Sequence, residues 1–258
     1  MAETVPSPPI PAQAMILAAG RGQRMRPLTD HTPKPLLQVR GQALIDWHVR
    51  ALVRGGFKQL LVNTAWLGEQ IAPHLAPIAT ELDCHIRYSH EGQDFGDALE
   101  TAGGIARALP QLAELFWVVA GDVFVPDFTF SPAAVSRFAE SDCLAHLWLV
   151  PNPSHNPGGD FGLAEGLALN LPAGDPLRRY TFSTIGLYRR KFFADLPAGN
   201  PQGLKIALAP LLRAAMDNGR VSAQCLEGSW TDVGTPDRLA QLNGNPDTSN
   251  APVRILGV

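Results

Sequence analysis

The stretch that decides the fold is 15-MILAAGRGQRMRPLTDHTPKPLL-37. Its apolar start, residues 15–19, predicts a short buried strand that ends in the glycine turn Gly20-Arg21-Gly22. Successive backbone N–H groups of such a loop form a concavity that binds anions. Arg21, Arg24, Arg26 and Lys34 lie in this turn or follow it closely, and these fixed cations neutralise the charge that such a loop holds. The stretch therefore predicts a strand that leads into a site for more than one phosphate group.

The composition limits the partners of the chain. It has 258 residues, 45% of them hydrophobic, and a formal net charge of −3, which argues against nucleic acid as a partner. No apolar run approaches the ~18 residues of a membrane span, and the N-terminus does not resemble a secretory signal. The three cysteines lack metal or redox spacing, so we interpret them as small buried residues of a cytoplasmic protein. The seven histidines share no metal-binding spacing, and Trp47 and Trp66 fit apolar core patterns.

Strand and helix patterns alternate along the first half of the chain. Alternation of this kind predicts an α/β fold: a Rossmann-like mixed, mainly parallel sheet flanked by helices. The strands are predicted at 14–19, 59–65, 85–91 and 115–123, and the helices at 43–55 and 99–109, with a further helix from 67 that is disturbed at Pro73 and Pro77. The second half predicts strands at 143–152 and 182–190, a loop at 155–162 and a helix at 205–219.

The domain organisation follows from these patterns. Residues 1–13 hold four prolines and are expected to form a disordered extension. A single domain is expected over 14–242, in two halves, 14–124 and 125–242, followed by a tail at 243–258. No internal repeat is present, so no β-helix extension is expected.

Two carboxylates stand where a cation would be held. Asp122 follows the most apolar strand, where a buried carboxylate is costly unless it binds a cation or hydrogen-bond donors. Asp232 lies in WTDVGTPDRL, where a helix cap is the alternative and Asp237 competes for that cap. The glycine loop itself fits neither a dinucleotide fingerprint, which wants a third glycine at Arg24, nor a P-loop, which wants Gly-Lys-Ser/Thr.

The pattern Gly-x-Gly-x-Arg-Met-x-Pro-Leu-Thr, followed by Pro-Lys-Pro-Leu, resembles the signature of the sugar-1-phosphate nucleotidyltransferases. This family joins a nucleoside triphosphate (NTP) to a sugar 1-phosphate, and the resemblance implies the nucleotide-diphospho-sugar transferase fold with Mg²⁺ as cofactor. It implies that Arg24 holds the leaving pyrophosphate, that Lys34 reaches the α-phosphate and the sugar phosphate, and that Asp122 and Asp232 bind the metal. The implied nucleotide-binding residues are Leu17, Ala18, Ala19, Gly20, Gly22, Asn63, Glu100, Thr101, Ala102 and Gly103.

The resemblance implies a sugar site in the second half of the chain. The segments HNPGGDFG and FSTIGLY resemble the branch of the family that uridylylates N-acetylmuramate 1-phosphate. The implied sugar-binding residues are Asn156, Asp160, Gly162, Gly186 and Trp230. No lysine stands between Phe161 and Tyr180, which argues against a thymidylyltransferase.

Several alternatives remain open from the sequence. GTP with mannose or heptose 1-phosphate is the second substrate pair, and phosphocholine cytidylyl transfer on the same fold is a third. A catalytically silent binding module is the alternative of another class, although such a module is expected to lose Lys34 or a metal carboxylate. Oligomeric state is not readable from the residues.

Overall fold

A computed structural model describes residues 11–244. The predicted extension and tail therefore lie mostly outside the described residues, at 1–10 and 245–258. Residues 12 and 13 belong to the first strand, and residues 243 and 244 belong to the last helix.

The strands run as follows in chain order: β1 Ala12–Ala18, β2 Gln38–Val39, β3 Gln42–Ala43, β4 Gln59–Thr64, β5 His85–His90, β6 Leu112–Ala120, β7 Val123–Phe124, β8 Ala145–Val150, β9 Phe161–Ala164, β10 Leu167–Leu169, β11 Arg179–Arg189, β12 Val221–Cys225 and β13 Thr231–Asp232. The α-helices are α1 Leu44–Arg54, α2 Ile71–Glu81, α3 Glu91–Phe95, α4 Glu100–Ala108, α5 Pro132–Ala139, α6 Leu208–Asp217 and α7 Pro236–Gly244. Short 3₁₀ turns lie at Gln23–Met25, Leu28–Asp30, Lys34–Leu36, Gly68–Gln70, Leu109–Gln111 and Arg190–Phe193.

One mixed sheet of nine strands carries the fold, in the order β5-β4-β1-β6-β11-β8-β12-β10-β9. The four strands from the first half of the chain, β5, β4, β1 and β6, are mutually parallel. β11 is antiparallel to both β6 and β8, and it joins the two halves into one sheet. The predicted mixed, mainly parallel α/β sheet is confirmed, and no β-helix occurs among residues 11–244.

Helices cover both faces of this sheet because the strands are apolar on both sides. In β1, Ile16 packs with α1 and α2 on one face, whereas Met15 packs with α4 and α6 on the other. Such a continuous apolar strand is typical of a parallel sheet buried between two helical layers. A smaller cluster that includes Met25, Phe124 and Val233 joins the glycine loop to the pair β7–β13.

Two details differ from the sequence-based expectation. Helix α2 is continuous through both prolines. Pro73 lies in the first turn, where the N–H has no intrahelical partner, and Pro77 lies on the exposed face of the helix. The expectation that all cysteines are buried is wrong for Cys225, which is exposed at the end of β12.

Among residues 11–244, no helix is both long enough and apolar enough to cross a bilayer.

Candidate active site

The glycine loop is held by its own hydrogen bonds and by two of its arginines. Gly22 has φ +65°, and a Cβ atom there would lie 3.0 Å from Thr29 Cγ2, so the turn needs glycine. Arg21 and Arg26 both bind Asp30, at 3.0 and 2.8 Å, and the two guanidinium groups hold the pKa of Asp30 below its usual value, Arg26 contributing most. These two cations therefore brace the loop, contrary to the expectation that all its arginines neutralise phosphate.

Arg24 differs from these neighbours. It is exposed and has no side-chain hydrogen bond or ion pair with any residue of 11–244. It lines a cavity of about 310 Å³ together with Gly20, Gly22, Lys34, Asp122 and Gly234. An unpaired guanidinium beside glycine backbone offers several N–H donors to a polyphosphate.

Lys34 and Asp122 form an ion pair at the centre of the cleft. Lys34 Nζ lies 2.5 Å from Asp122 Oδ2, and the side chains are 9% and 37% exposed. The backbone N–H of Gly121 donates to the carbonyl of Leu17 at 2.8 Å, which fixes the turn after β6 against the end of β1. The end of β6 and the loop that follows β1 thus bring an anion and a cation to one point.

The short pair β7–β13 brings the backbones of the two predicted metal-binding residues together. The backbone N–H of Val233 donates to the Asp122 carbonyl at 3.0 Å, and Asp232 lies opposite Val123. Asp232 Oδ2 accepts from Arg238 at 2.7 Å. In each aspartate the other oxygen, Oδ1, accepts no hydrogen bond from residues 11–244. A carboxylate with a free oxygen suits a hard divalent cation whose remaining ligands are phosphate and water.

A second cavity, of about 220 Å³, lies next to the ion pair and is called the nucleotide cavity below. It collects most of the residues that the sequence predicted for the nucleotide: Leu17, Ala18, Ala19, Gly20, Asn63, Glu100 and Thr101, together with Lys34 and Asp122. Gly103 lies elsewhere, since it packs in α4 where a Cβ atom would be 2.4 Å from the Leu204 carbonyl. Ala102 is likewise buried, and its backbone N–H donates to the Ile206 carbonyl.

A buried hydrogen-bond chain forms the floor of the nucleotide cavity. The Ala18 N–H donates to Asn63 Oδ1 at 2.8 Å, and Asn63 Nδ2 donates to Glu91 Oε1 at 2.7 Å. The Leu99 N–H donates to the other oxygen of Glu91 at 2.8 Å. Glu91 is completely buried, and burial raises the pKa of its carboxyl above the usual value. The chain thereby fixes the segment before α4 relative to β1.

Glu100 has an uncommon backbone at the first position of α4. Its φ is +60°, the left-handed region that non-glycine residues seldom occupy. The residue lines both the nucleotide cavity and its neighbour. Backbone strain of this kind persists where the surrounding structure holds it, and it is concentrated at functional sites.

A third cavity, of about 370 Å³, adjoins the nucleotide cavity and is called the sugar cavity below. Leu17, Glu100, Thr101 and Ala120 line both. Apart from Val118 of β6, the rest of its wall comes from the second half of the chain and includes Asp160, Phe161, Phe182, Thr184, Tyr188, Leu208, Leu212 and Arg213. The wall is therefore largely apolar, with a small number of polar groups, as expected for a small-molecule site.

Of the predicted sugar-site residues, Asp160 lines this cavity. Asn156 lies behind it and donates to Asp160 Oδ1 at 3.2 Å. Gly162 and Gly186 are packing positions, since a Cβ atom would lie 2.6 Å from Leu171 Cδ1 and 2.9 Å from Tyr188 Cε2.

Trp230 is not part of the sugar cavity wall. It donates from Nε1 to the Ser183 carbonyl at 3.0 Å and packs against the apolar core. Trp66 has a role beyond the core position expected for it, because Arg21 stacks over its ring at 3.5 Å and thereby braces the glycine loop.

Glu91 and Arg213 are site residues that sequence reasoning missed. Glu91 is the last residue of the run 85–91, which predicts a strand. The sequence therefore gives no sign that this carboxylate follows the strand and lies at the site. Arg213 lies within an amphipathic helix, where an arginine is ordinarily a solvated residue. Its place beside a cavity follows from the packing of α6 against the sheet, which no local pattern specifies.

Known proteins resemble this chain over most of its length. The family described as "Nucleotidyl transferase" matches residues 13–167. An N-acetylmuramate alpha-1-phosphate uridylyltransferase of Neisseria meningitidis is 47% identical over 89% of this chain and 96% of that protein. A mannose-1-phosphate guanylyltransferase catalytic subunit beta of Dictyostelium discoideum is 33% identical over 87% of this chain and 61% of that protein.

Among solved structures, a putative glucose-1-phosphate thymidylyltransferase of Bacillus anthracis superposes with a TM-score of 0.76. It is 21% identical, over 93% of this chain and 97% of that one, and so it shows a shared fold.

Proposed function

Because the chain belongs to the nucleotidyl transferase family, we propose that it joins UTP to N-acetylmuramate 1-phosphate with release of pyrophosphate. The observation that carries this proposal is the contiguity of three cavities. The Arg24 cavity and the nucleotide cavity share Lys34 and Asp122, and the nucleotide and sugar cavities share four further residues. A triphosphate, a nucleoside and a sugar can therefore lie in sequence along one cleft.

The reaction needs positioning and charge neutralisation more than proton transfer. An oxygen of the sugar phosphate, already ionised, attacks the α-phosphorus of the triphosphate. A new P–O bond forms, the bond from the α-phosphorus to the bridging oxygen breaks, and pyrophosphate carries away the electron pair. No general base is required, so the barrier is lowered by alignment and by fixed positive charge.

Each cationic residue has a position suited to one part of this reaction. Arg24, which has no protein partner in 11–244, would hold the β- and γ-phosphates that leave. Lys34 would contact the α-phosphate and the incoming sugar phosphate, since it lines both the Arg24 cavity and the nucleotide cavity. Its ion pair with Asp122 keeps the ammonium group in place before substrate binds.

We propose that Asp122 and Asp232 hold Mg²⁺. The proposal is supported by the one carboxylate oxygen on each side chain that accepts no hydrogen bond from residues 11–244. When bound, the ion would supply positive charge to the phosphate oxygens. The same proposal keeps the expected division of one domain into a nucleotide half, residues 14–124, and a sugar half, residues 125–242. The expected cytoplasmic location belongs to it as well.

Transfer of a guanylyl group to mannose 1-phosphate is the second candidate, because a mannose-1-phosphate guanylyltransferase is among the relatives. Uridylyl transfer is favoured because the muramate relative is more similar and matches over nearly its whole length.

The test is pyrophosphate release with Mg²⁺ across the four NTPs and a set of sugar 1-phosphates. We expect release with UTP and N-acetylmuramate 1-phosphate, at least tenfold faster in kcat/KM than any GTP pair. Release confined to GTP with mannose 1-phosphate would overturn the uridylyl assignment. Absence of release with every pair would overturn the enzymatic proposal itself.

A further inference from the structure

The sugar cavity contains a cation that has no anionic partner. Arg213, on α6, lines this cavity and contacts neutral acceptors only. Its Nη1 donates to Asn170 Oδ1 at 2.8 Å, and its Nη2 lies 3.5 Å from the Asp160 carbonyl oxygen. No carboxylate of residues 11–244 lies within ion-pair distance of it.

The guanidinium is also partly removed from water. Arg213 is half-buried, and its Cζ lies 5.1 Å from the centre of the Phe161 ring. A cation that loses hydration without gaining an anion is unfavourable, and an anion delivered by a ligand removes that cost. The cavity wall therefore selects for a ligand with a negative group at this point.

The negative group must be distinct from the phosphates. Lys34, Asp122 and Arg24, which surround the expected reaction centre, do not line the sugar cavity. Arg213, in turn, lines neither the nucleotide cavity nor the Arg24 cavity. An anion at Arg213 must therefore project from the part of the sugar that is remote from its anomeric phosphate.

N-acetylmuramate carries such an anion, the carboxylate of the lactyl ether on its third carbon. Building on the proposed function, we propose that Arg213 binds this carboxylate and thereby selects N-acetylmuramate over N-acetylglucosamine. The carboxylate of Asp160 does not compete with the ligand for Arg213, because both of its oxygens already have partners. Oδ2 accepts from the Phe182 N–H at 2.8 Å, and Oδ1 accepts from Asn156. Asp160 would instead repel a lactyl carboxylate that was not paired with Arg213.

Two buried hydroxyls of residues that line this cavity are consistent with a polar ligand. Tyr188 Oη and Thr184 Oγ1 are both buried and have no hydrogen-bond partner in the described residues. Thr184 also has φ +66°, a rare backbone for a β-branched residue. Unpaired buried polar groups are uncommon in folded proteins, and their presence in this wall agrees with a site that is completed by substrate.

The experiment compares N-acetylmuramate 1-phosphate with the analogue in which the lactyl carboxylate is a carboxamide. The carboxamide group has the same size as the carboxylate and no charge. With UTP and Mg²⁺, the wild-type protein should prefer the carboxylate in kcat/KM by on the order of 10- to 100-fold, the range expected for a charge-assisted pair. Arg213→Met should reduce this preference to about onefold, because the carboxylate substrate loses more rate than the carboxamide does. Arg213→Lys, which keeps the charge without the planar fork, should retain part of the preference.

Arg178→Met is the matched control, because Arg178 is exposed, stacks on Tyr180 at 4.8 Å and does not line the cavity. It should leave the preference at the wild-type value. Thermal unfolding of each variant separates loss of recognition from loss of folding.

The possible results distinguish the two proposals. A wild-type preference near onefold would overturn the role of Arg213 even if no variant could be purified. An equal loss with both substrates in Arg213→Met would also overturn it, since that result assigns Arg213 to the phosphate or to packing. In both cases turnover by the wild type leaves the proposed function standing. Absence of turnover with both compounds would instead refute the proposed function, and this inference with it.

Discussion

Replacement of Glu91 by glutamine tests whether the buried chain under the nucleotide cavity orders the site. The polarity of that chain is fixed from one end. The Ala18 N–H is a donor, so Asn63 must present Oδ1 to it and Nδ2 to Glu91. The Leu99 N–H is a donor at the other end, so both oxygens of Glu91 must accept. Glutamine has one accepting oxygen, and its NH₂ group would face another N–H donor.

The expected cost follows from that single mismatch. One hydrogen bond to a charged, fully buried carboxylate is lost and one buried donor is left without a partner, which costs about 1–3 kcal/mol. For a domain of this size, that corresponds to a decrease in Tm of roughly 3–10 °C. The segment that carries Leu99 leads directly into Glu100 and Thr101 of the nucleotide cavity, so the KM for the nucleotide should rise as well.

The assay is thermal unfolding together with steady-state kinetics, and Glu114→Gln serves as the control. Glu114 is exposed on β6 and makes no side-chain hydrogen bond in the described residues, so its change should be within 1 °C and about twofold in KM.

Burial raises the pKa of Glu91, and so the folded protein binds its proton more readily than the unfolded chain. The stability of the wild type relative to Glu91→Gln should therefore increase as pH falls through that raised pKa. Glu91→Gln and Glu114→Gln with the same Tm and the same KM would refute the reasoning.

Three further predictions concern charge and burial. Asp122→Ala should abolish turnover with little change in far-UV circular dichroism, and near-normal activity would remove Asp122 from the metal site. Arg24→Met should lower kcat/KM for the nucleotide by about 10- to 100-fold, whereas Arg26→Met, which removes a partner of Asp30, should change it by about twofold; equal effects would contradict the distinction. His48 is buried beside the Val123 carbonyl, and burial lowers its pKa from 6.5 to about 4. The unfolded chain binds that proton first, so stability should fall by about 3 kcal/mol between pH 6.5 and 4. This decrease should be smaller in His48→Gln when measured by urea unfolding, and an unchanged pH dependence would count against it.

The part of the fold that could be predicted is the part with short-range patterns. The apolar runs of β1, β4 and β6 are short and each is followed by turn residues, which is typical of strands buried on both faces. Gly20, Gly22 and Lys34, which line one cavity, could be proposed for a phosphate site because glycine backbone and fixed charge suit phosphate. Asp122 could be placed at the same edge because parallel strands end together.

The remaining site residues depend on contacts between distant segments. Gly103 and Gly186 look like ligand-contact glycines in sequence, but each makes room for a neighbouring segment, Leu204 in one case and Tyr188 in the other. Arg21 and Arg24 have the same side chain and lie three positions apart. Only the placement of Asp30 and Trp66 decides that Arg21 braces the loop and Arg24 stays unpaired.

The most direct test of the proposed cleft is the crystal structure of the protein with Mg²⁺ and UDP-N-acetylmuramate, the product of the proposed reaction. We predict the uracil and ribose in the nucleotide cavity against Leu17 and Thr101, and the diphosphate beside Lys34 with the metal on Asp122. The sugar should occupy the adjoining cavity with its lactyl carboxylate on Arg213. A nucleotide-sugar bound outside these two cavities, or with its diphosphate away from Lys34 and Asp122, would contradict the account.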